Sequence, residues 1–233
     1  MSRLLRKKFL EFSDSSKPII VLMDDVDANA GGALKSVEIR KKHEAIQSSS
    51  IVLLSGYLES FLKDSAECFF FVVRDKGIAY SALPDVMKEK HIIHGFNELA
   101  KIAAKDKKNG DATFAAAIGA ARAILQPISS GTSSLYWRAF AATKGNPGPE
   151  VIKEYLKGFD IKNPMGEVAQ GISLSEGYIN STLQSFIELR NECAHTGSIK
   201  AVPTTVAIRD YIQFLRKLTL GISKVLEKRV ASL

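Results

Sequence analysis

The chain has 233 residues, 45% of them hydrophobic and 24% charged, the composition of one globular domain able to bury its own core. Lys and Arg number 32 against 25 Asp and Glu, and the formal net charge of +7 favours an anionic partner without naming one. Two distant cysteines, Cys68 and Cys193, exclude a disulfide scaffold and a Cys-rich zinc site, and no apolar run approaches the ~20 residues that span a bilayer.

The expectation is a cytoplasmic protein without membrane contact, since no apolar stretch of signal-peptide length follows Arg3, Arg6, Lys7 and Lys8. The spacing predicts an all-α chain folded as a single domain over residues 1–233, with residues 1–32 as an N-terminal arm or extra helix. The one strand candidate, Ile19 to Met23, has surroundings that favour helix or an extended arm. Asp25, Asp27 and Asn29 resemble the start of a calcium loop, but its sixth and twelfth places hold Ala30 and Ser36 instead of Gly and Glu. An acidic loop before a helix N-terminus fits better.

A long helical pattern follows from about Ala33 to Arg74, with Leu54, Leu58 and Phe61 as its apolar stripe. Glu59, Lys63 and Glu67 are spaced by four, as ion pairs along another face require. Phe69 to Val73 is apolar on all sides and is expected to be buried. Further helices are expected near Pro84 to Lys107 and Ala112 to Leu125, within a helical insertion, 80–145, of unassigned role. His91 and His94 stand three apart, but no third metal ligand of suitable type is near, so surface or core histidines are the better reading.

Punctuation is clearest in the last third. Pro149 opens a short helix that Gly158 ends, and Asn163-Pro164 reads as an N-cap with proline at the first helical position. Ser173 and Glu176 have capping-box spacing and open a helix to His195, with Gly197 placed to stop it. Pro203-Thr204 starts a last helix with Ile208, Ile212, Leu215, Ile222 and Leu226 on one face. Basic residues cluster at Lys35–Lys42, at Lys101–Lys108 and along Arg216–Arg229, either as solvated helix faces or as a track for a phosphate backbone.

The segment Phe186 to Gly197 carries the chemistry. The stripe Ile179, Leu183, Phe186 steps next to Arg190, which puts a guanidinium where the seam calls for an apolar side chain. Such a burial is costly unless the charge is paired or lines a site. His195 falls at the helix C-terminus, where the helix dipole favours its protonated form and suits it to proton transfer near neutral pH. Residues five apart on a regular helix point ~140° apart and stand roughly 8 Å apart along the axis. Arg190 and His195 therefore meet on one substrate only if the helix end unwinds or a second copy brings its own pair alongside.

Arg190-Asn191-Glu192-Cys193-Ala194-His195 resembles the R-x4–6-H signature of the HEPN superfamily, and the helix Ile51 to Asp64 is similar to the matching helix of its RiboL-PSP-HEPN branch. The resemblance implies a HEPN-type helical bundle with additional helices. It also implies a homodimer whose interface cleft holds two Arg-His pairs, and an endoribonuclease that needs no metal and no cofactor. On this chain His195 would be the general base on the ribose 2′-OH or the acid on the leaving oxygen, and Arg190 would hold the scissile phosphate. Asn191 would orient His195 or the phosphate, and Glu59 would line the same cleft. RNA would be cut to a 2′,3′-cyclic phosphate and a 5′-OH. The biological setting would be a toxin or antiviral-defence effector, with an antitoxin or defence-system protein as partner. The alternatives are a non-catalytic HEPN module for RNA or nucleotide binding or dimerisation, and a structural helix cap in which His195 bonds a backbone carbonyl.

Overall fold

The computed structural model describes residues 3–104, 110–131, 135–141, 146–195 and 202–233; the side chains at 3, 102–104, 110–114 and 195 lie outside the described set. Helix starts follow local chemistry. Ser36 has extended backbone and its hydroxyl accepts the Ile39 N–H at 3.4 Å, which opens a 39-residue helix, α4 (Val37–Asp75), unbroken along its length. Thr204 caps α10 (Thr205–Ser232) in the same way, accepting the Ala207 N–H at 3.1 Å.

Before α4 come α1 (Arg3–Ser15), α2 (Lys17–Ala28) and the single turn α3 (Ala30–Ala33). The N-terminal segment is thus helix and not a loose arm: Leu5, Phe12, Ile19 and Met23 are buried in the common core. The expected acidic loop is instead the last turn of α2, where Asp24 and Asp27 each lie 2.8 Å from the Arg209 guanidinium on α10.

α5 (Asp85–Ala104) and α6 (Gly110–Ser130) form a helical pair, followed by α7 (Pro149–Lys157), α8 (Pro164–Ile172) and α9 (Glu176–His195). Two capping expectations fail at the side-chain level. Asn163 precedes α8 but makes no side-chain cap bond, and Ser173 closes α8 in the left-handed conformation, at φ 56°, instead of opening α9. The cap of α9 is Ser175, whose hydroxyl accepts the Tyr178 N–H at 3.1 Å. Gly197 lies outside the described residues.

α4, α9 and α10 are the frame. Lys76, just past α4, donates to the Val230 carbonyl at 2.6 Å, and the start of α4 shares a cavity with Thr204 and Thr205, so α4 and α10 run parallel. α9 runs against them: Cys193 near its end lies beside Ser48 in the first third of α4. The end of α9 and the beginnings of α4 and α10 therefore meet at one end of the bundle. One contiguous apolar core runs from Leu5 to Val230. At its centre Phe69, Phe70, Phe140 and Phe159 pack with ring centroids 4.3 to 5.7 Å apart, which anchors part of the 80–145 segment in the core. The expected full burial of Phe69 to Val73 holds on the inner side only: Phe71 is 46% exposed, with the Arg74 guanidinium over its ring. Among the described residues no helix is long and apolar enough to cross a membrane, and no strand forms.

Candidate active site on α9

α9 buries Ile179, Leu183, Phe186 and Ile187 completely or nearly so, and the same stripe then reaches Arg190, which is half-buried. The guanidinium does lie in the seam. Its Nη1 donates to Asn191 Oδ1 at 3.3 Å. That oxygen also accepts the Asn146 Nδ2–H at 2.9 Å, from the loop just before α7. The loop lies flat on α9, since a Cβ placed on Gly148 would be 3.9 Å from Ile187. Asn191 thus ties the arginine of one helix to the approach segment of another.

Two polar atoms of this cluster are buried and have no hydrogen-bond partner among the described residues: Arg190 Nε and Asn146 Oδ1. Buried polar groups are nearly always paired, so an unpaired donor beside an unpaired acceptor is unusual. A donor on a permanent cation suits an anionic oxygen such as a phosphate, and an amide oxygen suits a hydroxyl.

His195 ends α9, and α9 stays helical to that residue; its side chain lies outside the described set. Glu59 is not brought to Arg190. It pairs with Lys63 at 2.7 Å, on the face where its i,i+4 spacing places it. Ser48 is level with Cys193; Arg190, three residues earlier on the antiparallel α9, then stands about 12 Å from the level of Glu59 at the rise of an α-helix. The Cys193 thiol is pushed above its ordinary pKa by burial, a structural and not a reactive setting.

The basic clusters separate in space. Arg40, Lys41 and Lys42 begin α4, at the end of the bundle where α9 finishes. Lys224, Lys228 and Arg229 sit toward the other end and are engaged with Gly171, Glu167 and Asp160. Lys105, Lys107 and Lys108 lie outside the described residues. The two spaced histidines diverge: His91 is fully buried with neither ring nitrogen partnered among the described residues, while His94 lines a cleft between α5 and α7. Among the described residues no three His, Cys, Asp or Glu side chains converge as a metal-ligand set. Asn146 is the residue that sequence reasoning missed. An Asn-Pro-Gly run reads as a turn, and nothing local links it to a position 45 residues on.

The described residues form an all-helical bundle in which α9 ends on Arg190-Asn191 and His195. The RiboL-PSP-HEPN family model matches residues 24–228, and the chain belongs to that family. The match takes in the 80–145 segment and leaves α1 and the first part of α2 outside it. No curated protein and no solved structure matches the chain.

Proposed function

We propose that this HEPN-family chain is an endoribonuclease that cuts RNA by attack of the ribose 2′-OH. The observation that carries the reading is the half-buried Arg190, tied through Asn191 to Asn146, with no partner for its Nε donor among the described residues. Arg190 holds the scissile phosphate and stabilises the charge that builds on it. Asn191 sets the plane of the guanidinium, and His195 moves the proton, as base on the 2′-OH or acid on the leaving oxygen. The chemistry asks for no metal, because a fixed cation and an imidazole supply both roles.

The pair acts across two copies. α9 is helical to His195, so unwinding before the histidine is not the route by which it meets Arg190. A homodimer that sets two α9 ends side by side puts each Arg190 within reach of a His195. The basic start of α4, at the same end of the bundle, then flanks the cleft and attracts the RNA backbone. Action as a toxin or antiviral-defence effector, held by an antitoxin or defence-system protein, belongs to the same proposal.

The second reading, a non-catalytic module that binds RNA or nucleotide, has one observation in its favour: α9 is helical to position 195, and positions 190 and 195 of a regular helix lie ~140° apart around its axis. RNA incubated in EDTA with the wild type and with His195→Ala separates the two. The proposal expects wild-type fragments ending in 2′,3′-cyclic phosphate and at least a hundredfold loss in the variant. Equal cutting by both removes His195 from the mechanism. Intact RNA with salt-sensitive binding by both favours the module.

A further inference from the structure

Away from α9, α5 and α7 enclose a cleft of about 590 Å³, the size of a small-molecule site. Lys90 of α5 is built into it. Its Nζ donates to the Glu154 carbonyl at 3.3 Å and lies 5.8 Å from the centroid of the Phe140 ring. A Cβ on Gly158 would fall 2.3 Å from that nitrogen, so glycine there is what leaves room for the amine.

Lys90 differs from its neighbours in what it lacks. Lys157 pairs with Glu154 at 2.7 Å, Lys153 with Glu150 at 3.4 Å, and Lys88 with Asp85 at 2.8 Å. Among the described residues no carboxylate pairs with Lys90. Burial lowers its pKa to about 8, against a smaller opposing pull from Glu154, which lies in the same cleft but does not pair with it. At pH 7.5 about a quarter of this amine is neutral, against about one part in a thousand for an exposed lysine.

The walls indicate what would enter. Val86 and Ile93 stand 40% and 50% exposed and line the cleft together with Val151, which gives it an apolar wall. Tyr155 offers its ring alone, because its hydroxyl donates to the Leu62 carbonyl at 2.9 Å. The titratable groups that line the cleft with Lys90 are Glu89 and His94 from α5 and Glu150, Glu154 and Lys157 from α7. Three carboxylates against one further lysine do not favour an anion.

We propose that the α5–α7 cleft is a second ligand site, in which Lys90 captures a small, uncharged, apolar carbonyl compound as a reversible imine. The lone pair of neutral Nζ attacks the carbonyl carbon, and a C–N bond forms as the C=O π pair moves to oxygen. One amine proton passes to that oxygen. The carbinolamine then loses its C–O bond and the second amine proton as water, leaving C=N. One water is released and nothing is oxidised or reduced.

The test is competitive labelling of the full chain with benzaldehyde and cyanoborohydride at pH 7.5, followed by peptide mapping. Lys90 is expected to be alkylated at least tenfold faster than Lys153 or Lys157. Lys90→Arg removes the fast site, and Ile93→Glu, which keeps the amine and charges the cleft, slows it several-fold. Glyoxylate, an anionic aldehyde, labels Lys90 more slowly than benzaldehyde does. Labelling of Lys90 no faster than of the exposed lysines overturns the proposal, as does a fast site that persists in Lys90→Arg. Equal capture of glyoxylate overturns the class of ligand. The wild-type map decides the matter even if a variant fails to fold, and no outcome depends on RNA cleavage.

Discussion

Arg229 and Arg190 both sit partly buried in helix seams, toward opposite ends of the bundle. Arg229 is engaged on every side: Nε donates to the Phe159 carbonyl at 3.0 Å, Nη1 to Ser232 at 3.1 Å, and Nη2 to Asp160 at 2.8 Å. Among the described residues Arg190 makes one long bond, 3.3 Å to the neighbouring Asn191, and its buried Nε has no partner. The first arginine closes the junction between the α7–α8 turn and α10. The second bonds one neutral amide and pairs with no carboxylate among the described residues, which is why it is proposed as the phosphate-holding group. The difference teaches that the partner of a buried arginine, and not its burial, separates a structural cation from a candidate catalytic one.

The comparison breaks first if unpartnered buried nitrogens mark sites wherever they occur. His91 is the control: it is 0% exposed, edge-on to Tyr80, and neither of its nitrogens has a partner among the described residues. Burial lowers its pKa from 6.5 to about 4. Above pH 6.5 neither folded nor unfolded chain protonates it. As pH falls from 6.5 toward 4 only the unfolded chain takes the proton, so stability drops by about 3 kcal/mol over that window. His91→Leu is expected to flatten this limb in urea melts across pH and to leave RNA cleavage unchanged.

Arg229→Ala comes next. It leaves Asp160 half-buried with only Lys162 and strips the Phe159 carbonyl, at a cost of about 2 kcal/mol, or about 4–8 °C in melting temperature for a chain of this size. Cleavage measured below the transition stays within about twofold of wild type. Asn146→Ala sharpens the comparison from the other side. It frees Asn191 to turn, and it is expected to lower kcat for RNA cleavage about tenfold with little change in KM, the sign of a positioning residue. Glu59→Gln has the smallest effect, under twofold in cleavage and about 0.3 kcal/mol in stability from the lost pair with Lys63.

Much of this was legible from periodicity and punctuation. The long α4, the Pro149 and Thr204 starts and the α9 stripe all rest on local spacing that the fold respects, and Arg190 stood out because it interrupts such a stripe. Capping was less legible: Ser173 and Ser175 are both plausible caps by spacing, and only the backbone turn at the end of α8 assigns one to each helix. The Asp25–Asn29 segment misled because its acids look like a loop until Arg209, far along the chain, is seen to neutralise them. Asn146 and Lys90 were invisible for the same reason. Each gains its meaning from a residue 45 or 64 positions away, and no local pattern encodes such a contact.

The most direct test of the central claim is cleavage of single-stranded RNA in EDTA by Arg190→Ala, with the melting temperature of the same preparation. The account predicts at least a hundredfold loss of rate, fragments with 2′,3′-cyclic phosphate ends from the wild type alone, and a melting temperature within about 2 °C of wild type. An Arg190→Ala chain that cuts RNA at the wild-type rate but melts well below it would contradict the account, and would make Arg190 a second Arg229.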